Sequence, residues 1–254
     1  MTAATLDDLA AGLWLPSYRP GAVGEWTIAT TMVASAPGYW GDRFALFDTA
    51  LLSRRSPGDS ATWMSIVPME IESQRIGIAV AFGHTVVLGL GMGWCVGNVA
   101  LRDEVDRVTV VEHDPAVIAL IGGLGIFEQL PEQARAKITL VEDDALTWRP
   151  DSRVDSVQAD IWAKLVEPQK WDDVHSIQGN IGAESLYFWG QELELWRLVC
   201  REAGHDPERL DRATLDRIVA STGLPLVVPD DADFPDKIVA AARCWAPRDR
   251  DWWR

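Results

Sequence analysis

The stretch that most constrains this chain is His84-Thr-Val-Val-Leu-Gly-Leu-Gly-Met-Gly-Trp94, followed by Val108-Thr-Val-Val-Glu-His-Asp-Pro115. An apolar, β-branched run ends in a turn of alternating glycines. A second such run then ends in a single carboxylate, Glu112, 19 residues after Gly93. Few backbones accommodate this pattern. It predicts a strand over Thr85–Leu88, a tight turn, a helix over Trp94–Arg102 and a second strand over Arg107–Val111.

The flanking sequence extends the alternation. Asp114-Pro115 starts a helix that runs to about Gly122, since an Asp cap followed by Pro is a strong helix start. Further strands are predicted over Lys137–Val141 and Arg153–Ala159, with a fifth at Ser185–Trp189. Helices are predicted over Gln191–Glu202, over Thr214–Ser221 with Thr214 as N-cap, and over Asp236–Cys244. Strands alternating with helices imply an α/β fold: a Rossmann-like, mostly parallel sheet with helices on both faces. Upstream the pattern differs. Glu25–Val33 and Phe44–Leu52 are strand-like and joined by the turn-rich Ala36–Asp42, with a third strand at Thr62–Ile66. Pro68 opens a helix to about Ala81. The expected division is residues 1–67, a loose N-terminal arm and small antiparallel β-hairpin domain, and 68–254, the Rossmann-like domain. The tail looks exposed at Trp252-Trp253.

Composition narrows the function. The net charge of −15, from 23 basic and 38 acidic side chains, repels phosphate backbones and anionic lipid, so neither nucleic acid nor membrane is the expected partner. No apolar run approaches the ~20 residues that span a bilayer. Cys95, Cys200 and Cys244 are odd in number and widely spaced, which reads as reduced thiols in a cytoplasmic protein. They form no metal-ligand pattern with the four histidines, and no metal is expected.

Four groups of residues carry the candidate chemistry. Gly89 permits the bend, Gly91 leaves room for a ligand, and Gly93 allows close approach at the helix start. The spacing is G-x-G-x-G, and Trp94 takes the place of the last glycine of the dinucleotide fingerprint, which disfavours a nicotinamide cofactor. Glu112 is placed to accept both hydroxyls of a ribose; its plainer role is to cap the helix behind Asp114. Glu142-Asp-Asp-Ala145 follows the third strand. There Asp144, with Asp143 in reserve, suits the exocyclic amine of adenine, with a backbone N–H beside Ala145 on a ring nitrogen; a solvated acidic turn is the alternative. Asp160 ends the fourth strand, where open α/β sheets bind ligands, and is the candidate proton acceptor or a simple turn cap. His113 and His175 are lesser candidate bases, with His113 beside the adenosine. Glu70 and Gln74 point either to the site or to solvent, and Tyr187 and Trp189 either line an acceptor pocket or lie in the core.

Taken together, Gly89-Leu-Gly-Met-Gly93, Glu112, Asp144-Ala145 and the strand ending at Asp160 resemble the class I S-adenosylmethionine-dependent methyltransferases over roughly residues 80–187. The hairpin domain upstream resembles the spermidine-synthase-like branch. The resemblance implies S-adenosylmethionine as cofactor, held by Gly89, Gly91, Gly93, Glu112, His113, Asp143, Asp144 and Ala145. It also implies a small-molecule acceptor methylated in line beside Asp160, and a homodimer. Two departures weigh against aminopropyl transfer, the alternative reaction: Met92 stands where that branch carries an aspartate, and Asp160-Ile-Trp-Ala-Lys164 lacks its second aspartate and proline. A non-catalytic nucleoside-binding or assembly protein of the same fold is the third reading. No final antiparallel hairpin is evident, so a truncated sheet is expected.

Overall fold

The computed structural model describes residues 9–56, 59–247 and 252–253. The first unit is a four-stranded antiparallel sheet of β1 (Gly21–Val23), β2 (Trp26–Pro37), β3 (Arg43–Ser56) and β4 (Asp59–Ser65), paired in sequence order. The sheet follows from the turn chemistry between its strands. Gly24 and Gly41 adopt left-handed backbone in the two connections before and after β2, which a residue with a Cβ rarely does.

Helix α1 (Pro68–Val80) leads into the second unit. There β5 (Gly83–Leu88), β6 (Val105–Glu112), β7 (Ile138–Glu142), β8 (Ser156–Ala159) and β9 (Ser185–Phe188) form one sheet in the order β7-β6-β5-β8-β9, with every pair parallel. Chain order reverses between β5 and β8, which creates the crevice at their carboxyl ends. Strands buried on both faces read as continuous apolar runs. Val87, Val108 and Val110 pack toward α2 (Trp94–Leu101) and α3 (Pro115–Gly123). Val86, Leu88, Val157 and Ala159 pack on the opposite face against Val174 and Ile177 of α5 (Lys170–Ile181). A one-turn helix α4 (Glu132–Arg135) precedes β7, and α6 (Gln191–Ala203), α7 (Arg212–Ser221) and α8 (Phe234–Trp245) complete the chain. No final antiparallel strand pair is present among the described residues. The edge of β9 is covered by a single parallel bridge, Leu186 to Leu226.

Four expectations need correction. Asp211, not Thr214, caps α7: its side chain accepts from the Thr214 amide at 2.8 Å. Asp outranks Thr as a cap because its carboxylate reaches the free amides of the first turn. The strand over Arg153–Ala159 begins only at Ser156, because the Asp155 carboxylate turns back to accept from the His84 amide. The arm at residues 9–20 is tied down. Asn98 clasps the backbone of Trp14 in both directions at 2.8 Å, and the Tyr18 hydroxyl donates to the Met92 carbonyl. Trp253 is buried and packs with residues of α6, α7 and α8; its ring area is worth more in that cluster than in water.

The antiparallel sheet docks on the parallel one through Trp26, whose Nε1 donates to Asp114 Oδ2 at 2.6 Å while Asp114 Oδ1 caps α3 at the Ala116 amide. Replacing Trp26 by Phe keeps most of the packing and removes a bond to a charged acceptor. The expected loss is about 1.5–3 kcal/mol of unfolding free energy in a denaturant titration, and an unchanged midpoint would show that the contact does not join the two sheets.

Candidate active site

The carboxyl ends of the parallel strands surround a cavity of about 270 Å³. Its lining brings together Gly89, Gly91, Glu112, His113, Asp144, Ala145 and Asp160, from four successive loops of the sequence. Gly93 and Asp143 are not part of it. A Cβ on Gly93 would meet Ile121, Ile126 and Phe127, so that glycine serves helix packing. Asp143 is exposed, and its Oδ1 accepts from the Asp144 amide.

The glycine turn is shaped by close contacts on both sides. Gly89 has φ +96°, and a Cβ there would lie 2.2 Å from the Asp160 backbone oxygen. Gly91 has φ +51°, and a Cβ would lie 2.4 Å from the sulfur of Met64, a β4 side chain that also accepts from the Met92 amide at 3.2 Å. Part of the space that Gly91 leaves is therefore taken by the chain itself. Glu112 holds the same turn from beneath: Oε2 accepts from the Leu90 amide at 2.9 Å and Oε1 from the Asp114 amide at 2.8 Å. Each oxygen keeps a second lone pair for a ligand. Asp144 folds back in an Asx turn on the Leu146 amide through Oδ1. The antiparallel sheet supplies the opposite wall with Trp26, Leu52, Arg54 and Trp63. The Trp26 and Trp63 rings meet edge to face at 5.6 Å, and the Arg54 guanidinium lies over Trp26 at 5.7 Å.

Asp160 sits at the floor on a buried polar network. Gln158 Nε2 donates to Gln74 Oε1 at 2.9 Å, which fixes the amide so that Gln74 Nε2 donates to Asp160 Oδ2 at 2.5 Å. Glu70 is buried nearby and accepts from the Ser65 hydroxyl. Glu70 and Gln74 therefore belong to the site rather than to the surface. Their helix carries no strong apolar stripe, so spacing alone does not orient them. Burial raises the Asp160 carboxyl to about 6, against the opposing pull of Lys170 and Gln74. Burial, and then the charge of Asp160, raise Glu70 to about 8. His175 lies away from the cavity with both ring nitrogens beside backbone carbonyls, of Trp171 and Thr222. Tyr187 and Trp189 are buried, with their polar atoms on Ser73.

No protein-family model and no curated protein matches the chain. Solved structures match part of it. The complex of DhpI with SAH is 20% identical over 42% of this chain and 48% of that one, with a TM-score of 0.32. The glycopeptide N-methyltransferase MtfA is 18% identical over 44% and 50%, at 0.35. The methyltransferase domain of bacterial CtHen1-C is 19% identical over 42% and 57%, at 0.33. The chain thus spans about half the length of the structures it matches. At these TM-scores the likeness says nothing of the chemistry of the site.

The buried carboxyls give the fold a pH dependence. Glu70 near 8, Asp160 near 6 and Glu192 near 7 are all raised by burial, so the folded chain binds their protons more tightly than the unfolded one. Their contribution to stability is full below the usual carboxylate range and is lost as pH rises through 6 to 8. Lys170, lowered to about 8 by burial, acts with the opposite sign only above that window. Urea titrations from pH 5 to 8 are expected to show falling stability. Glu70→Gln should flatten the upper half of the fall, by up to about 1.4 kcal/mol per pH unit. An equal slope in the variant would mean that Glu70 does not titrate in this range.

Proposed function

We propose that the chain is an S-adenosylmethionine-dependent methyltransferase acting on a small molecule. One observation carries the reading: a single cavity at the reversal point of a five-stranded parallel sheet gathers Gly89, Gly91, Glu112, Asp144 and Asp160. The donor and acceptor chemistry suits an adenosine. Glu112 offers free lone pairs for ribose hydroxyls, and Asp144 offers Oδ2 for an exocyclic amine, with Ala145 and Leu146 beside it. His113 lies at the rim and Trp26 and Trp63 close the far wall. When bound, S-adenosylmethionine supplies an electrophilic methyl group on a sulfonium.

The chain's own residues do the rest. The glycine turn and Glu112 set the depth of the cavity, and the two tryptophans limit water in it. Asp160, held through Oδ2 by Gln74, keeps Oδ1 for an incoming acceptor and takes its proton as the nucleophile attacks. A carboxyl near 6 is mostly ionised at neutral pH and still basic enough for that task. Placement of the nucleophile in line with the methyl group supplies much of the remaining effect. No helix among the described residues is long and apolar enough to cross a membrane.

Calorimetry with S-adenosylhomocysteine tests the reading, with binding expected for the wild type. Asp144→Asn leaves an acceptor for the Leu146 amide but turns an N–H toward the adenine amine, and should weaken affinity by about tenfold or more. Glu112→Gln sets an NH2 group against one of the two backbone amides that Glu112 holds, so it should weaken affinity and lower the Tm together. Folded wild-type protein with no binding heat, and no protection from thermal unfolding, would remove the assignment.

A further inference from the structure

Behind Asp160, at the carboxyl ends of β8 and β9, a lysine is wholly withdrawn from water. Lys170 is 0% exposed. Its Nζ donates to the carbonyls of Lys164, Leu165 and Trp189 at 2.9, 3.0 and 3.0 Å, so all three N–H groups are used. The Trp162 and Trp189 rings lie 4.7 and 5.5 Å from the same nitrogen. The carboxylates of Asp160, Glu167, Glu192 and Glu194 add their field at longer range.

Every N–H of the ammonium is satisfied, and two aromatic faces and several carboxyls lie around it in addition. A buried ammonium carries a desolvation cost of several kcal/mol that one good partner partly offsets. Here converging carbonyls, two aromatic faces and a surrounding negative field form the combination that recognises an alkylammonium ion. One wall is also braced by the backbone itself. Gly190 has φ +80°, and a Cβ there would lie 2.3 Å from the Leu165 carbonyl oxygen, so the backbone bearing one cage carbonyl is pressed against the turn after β9. The location is the part of an open α/β sheet where ligands bind.

We propose that this cage is a primary-alkylammonium subsite occupied from within. The four-carbon stem and ammonium of Lys170 stand where a free amine would otherwise sit, and they close the ground beyond Asp160 to alkyl diamines. Resting on the function proposed above, this makes the methyl acceptor something other than a diamine and gives a structural reason against aminopropyl transfer.

Thermal unfolding and calorimetry of the full chain with n-butylammonium, putrescine and n-butanol test the proposal. The wild type is expected to bind none of them. Lys170→Ala should have a lower Tm that n-butylammonium raises by several degrees, with n-butanol giving less than half the rise, and it should bind putrescine saturably. Lys170→Met, which keeps the stem in place, should respond to neither amine. Should Lys170→Ala not fold alone, recovery of folded protein on refolding with n-butylammonium supports the cage, and no recovery overturns it. Saturable binding of putrescine by the wild type, or equal rescue by butanol and butylammonium, also overturns it. S-adenosylhomocysteine binding, measured on the same wild-type samples, reports separately on the proposed function, because the amine response of the variant does not depend on it.

Discussion

The close approach of the Gly89 turn to the Asp160 carbonyl is the contact on which the rest of the site depends. It occurs where β5 and β8 separate at their carboxyl ends, and it exists because Gly89 has neither a Cβ nor a preference for negative φ. With any other residue the two strand ends would have to part. The Asp160 amide donates to the Leu88 carbonyl in the same place, so ladder pairing and steric fit converge on one point. Asp160 is thereby held at the bottom of the crevice with little freedom, and the loop that follows it is committed to the path that meets α5.

Glu112 extends this logic from geometry to electrostatics. Read as sequence, it is a ribose acceptor or a helix cap. In the structure it bonds the Leu90 amide in the glycine turn and the Asp114 amide before α3. One carboxylate thus binds together the two loops that border the cavity. The two readings are compatible because a carboxylate has four lone-pair directions and the backbone uses two. The same economy holds at Asp114, whose two oxygens cap α3 and anchor Trp26. The antiparallel sheet therefore reaches the cavity through the loop that follows β6.

Much of this was legible in the sequence, for identifiable reasons. The strands β5 and β6 announce themselves because burial on both faces favours continuous apolar runs, and the turn because three alternating glycines have few other uses. Gly89, Gly91, Glu112, Asp144 and Asp160 converge as their spacing implies. What sequence does not carry is contact between distant segments. Met64 lies on Gly91 across 27 positions, Gln74 on Asp160 across 86, and Asn98 on Trp14 across 84. No local period encodes these. Gly93 allows the close approach expected at the helix start, and the neighbours it meets there are the apolar side chains of Ile121, Ile126 and Phe127. Lys170 is invisible for another reason. A lysine beside acids near a helix start looks like any solvated pair, and only the fold shows that three carbonyls have replaced the water.

The distribution of buried charge separates the site into two halves with different demands. On the cavity side, Glu112 and Asp144 present acceptors to hydroxyl and amine donors, and Arg54 is the one Arg or Lys among the described residues that line it. On the far side of Asp160 the carboxylates already have an internal cation in Lys170, and Glu194 has a second in Arg197 at 2.6 Å. Asp160 stands between them, raised by burial and lowered by Lys170 and Gln74. The lysine and the Gln74 amide both favour the ionised carboxylate. Burial acts the other way and holds the carboxyl above the usual carboxylate range, near 6. The balance depends on a cation that three backbone carbonyls hold in place, and an exchangeable amine in the same cage would not supply that charge at constant occupancy.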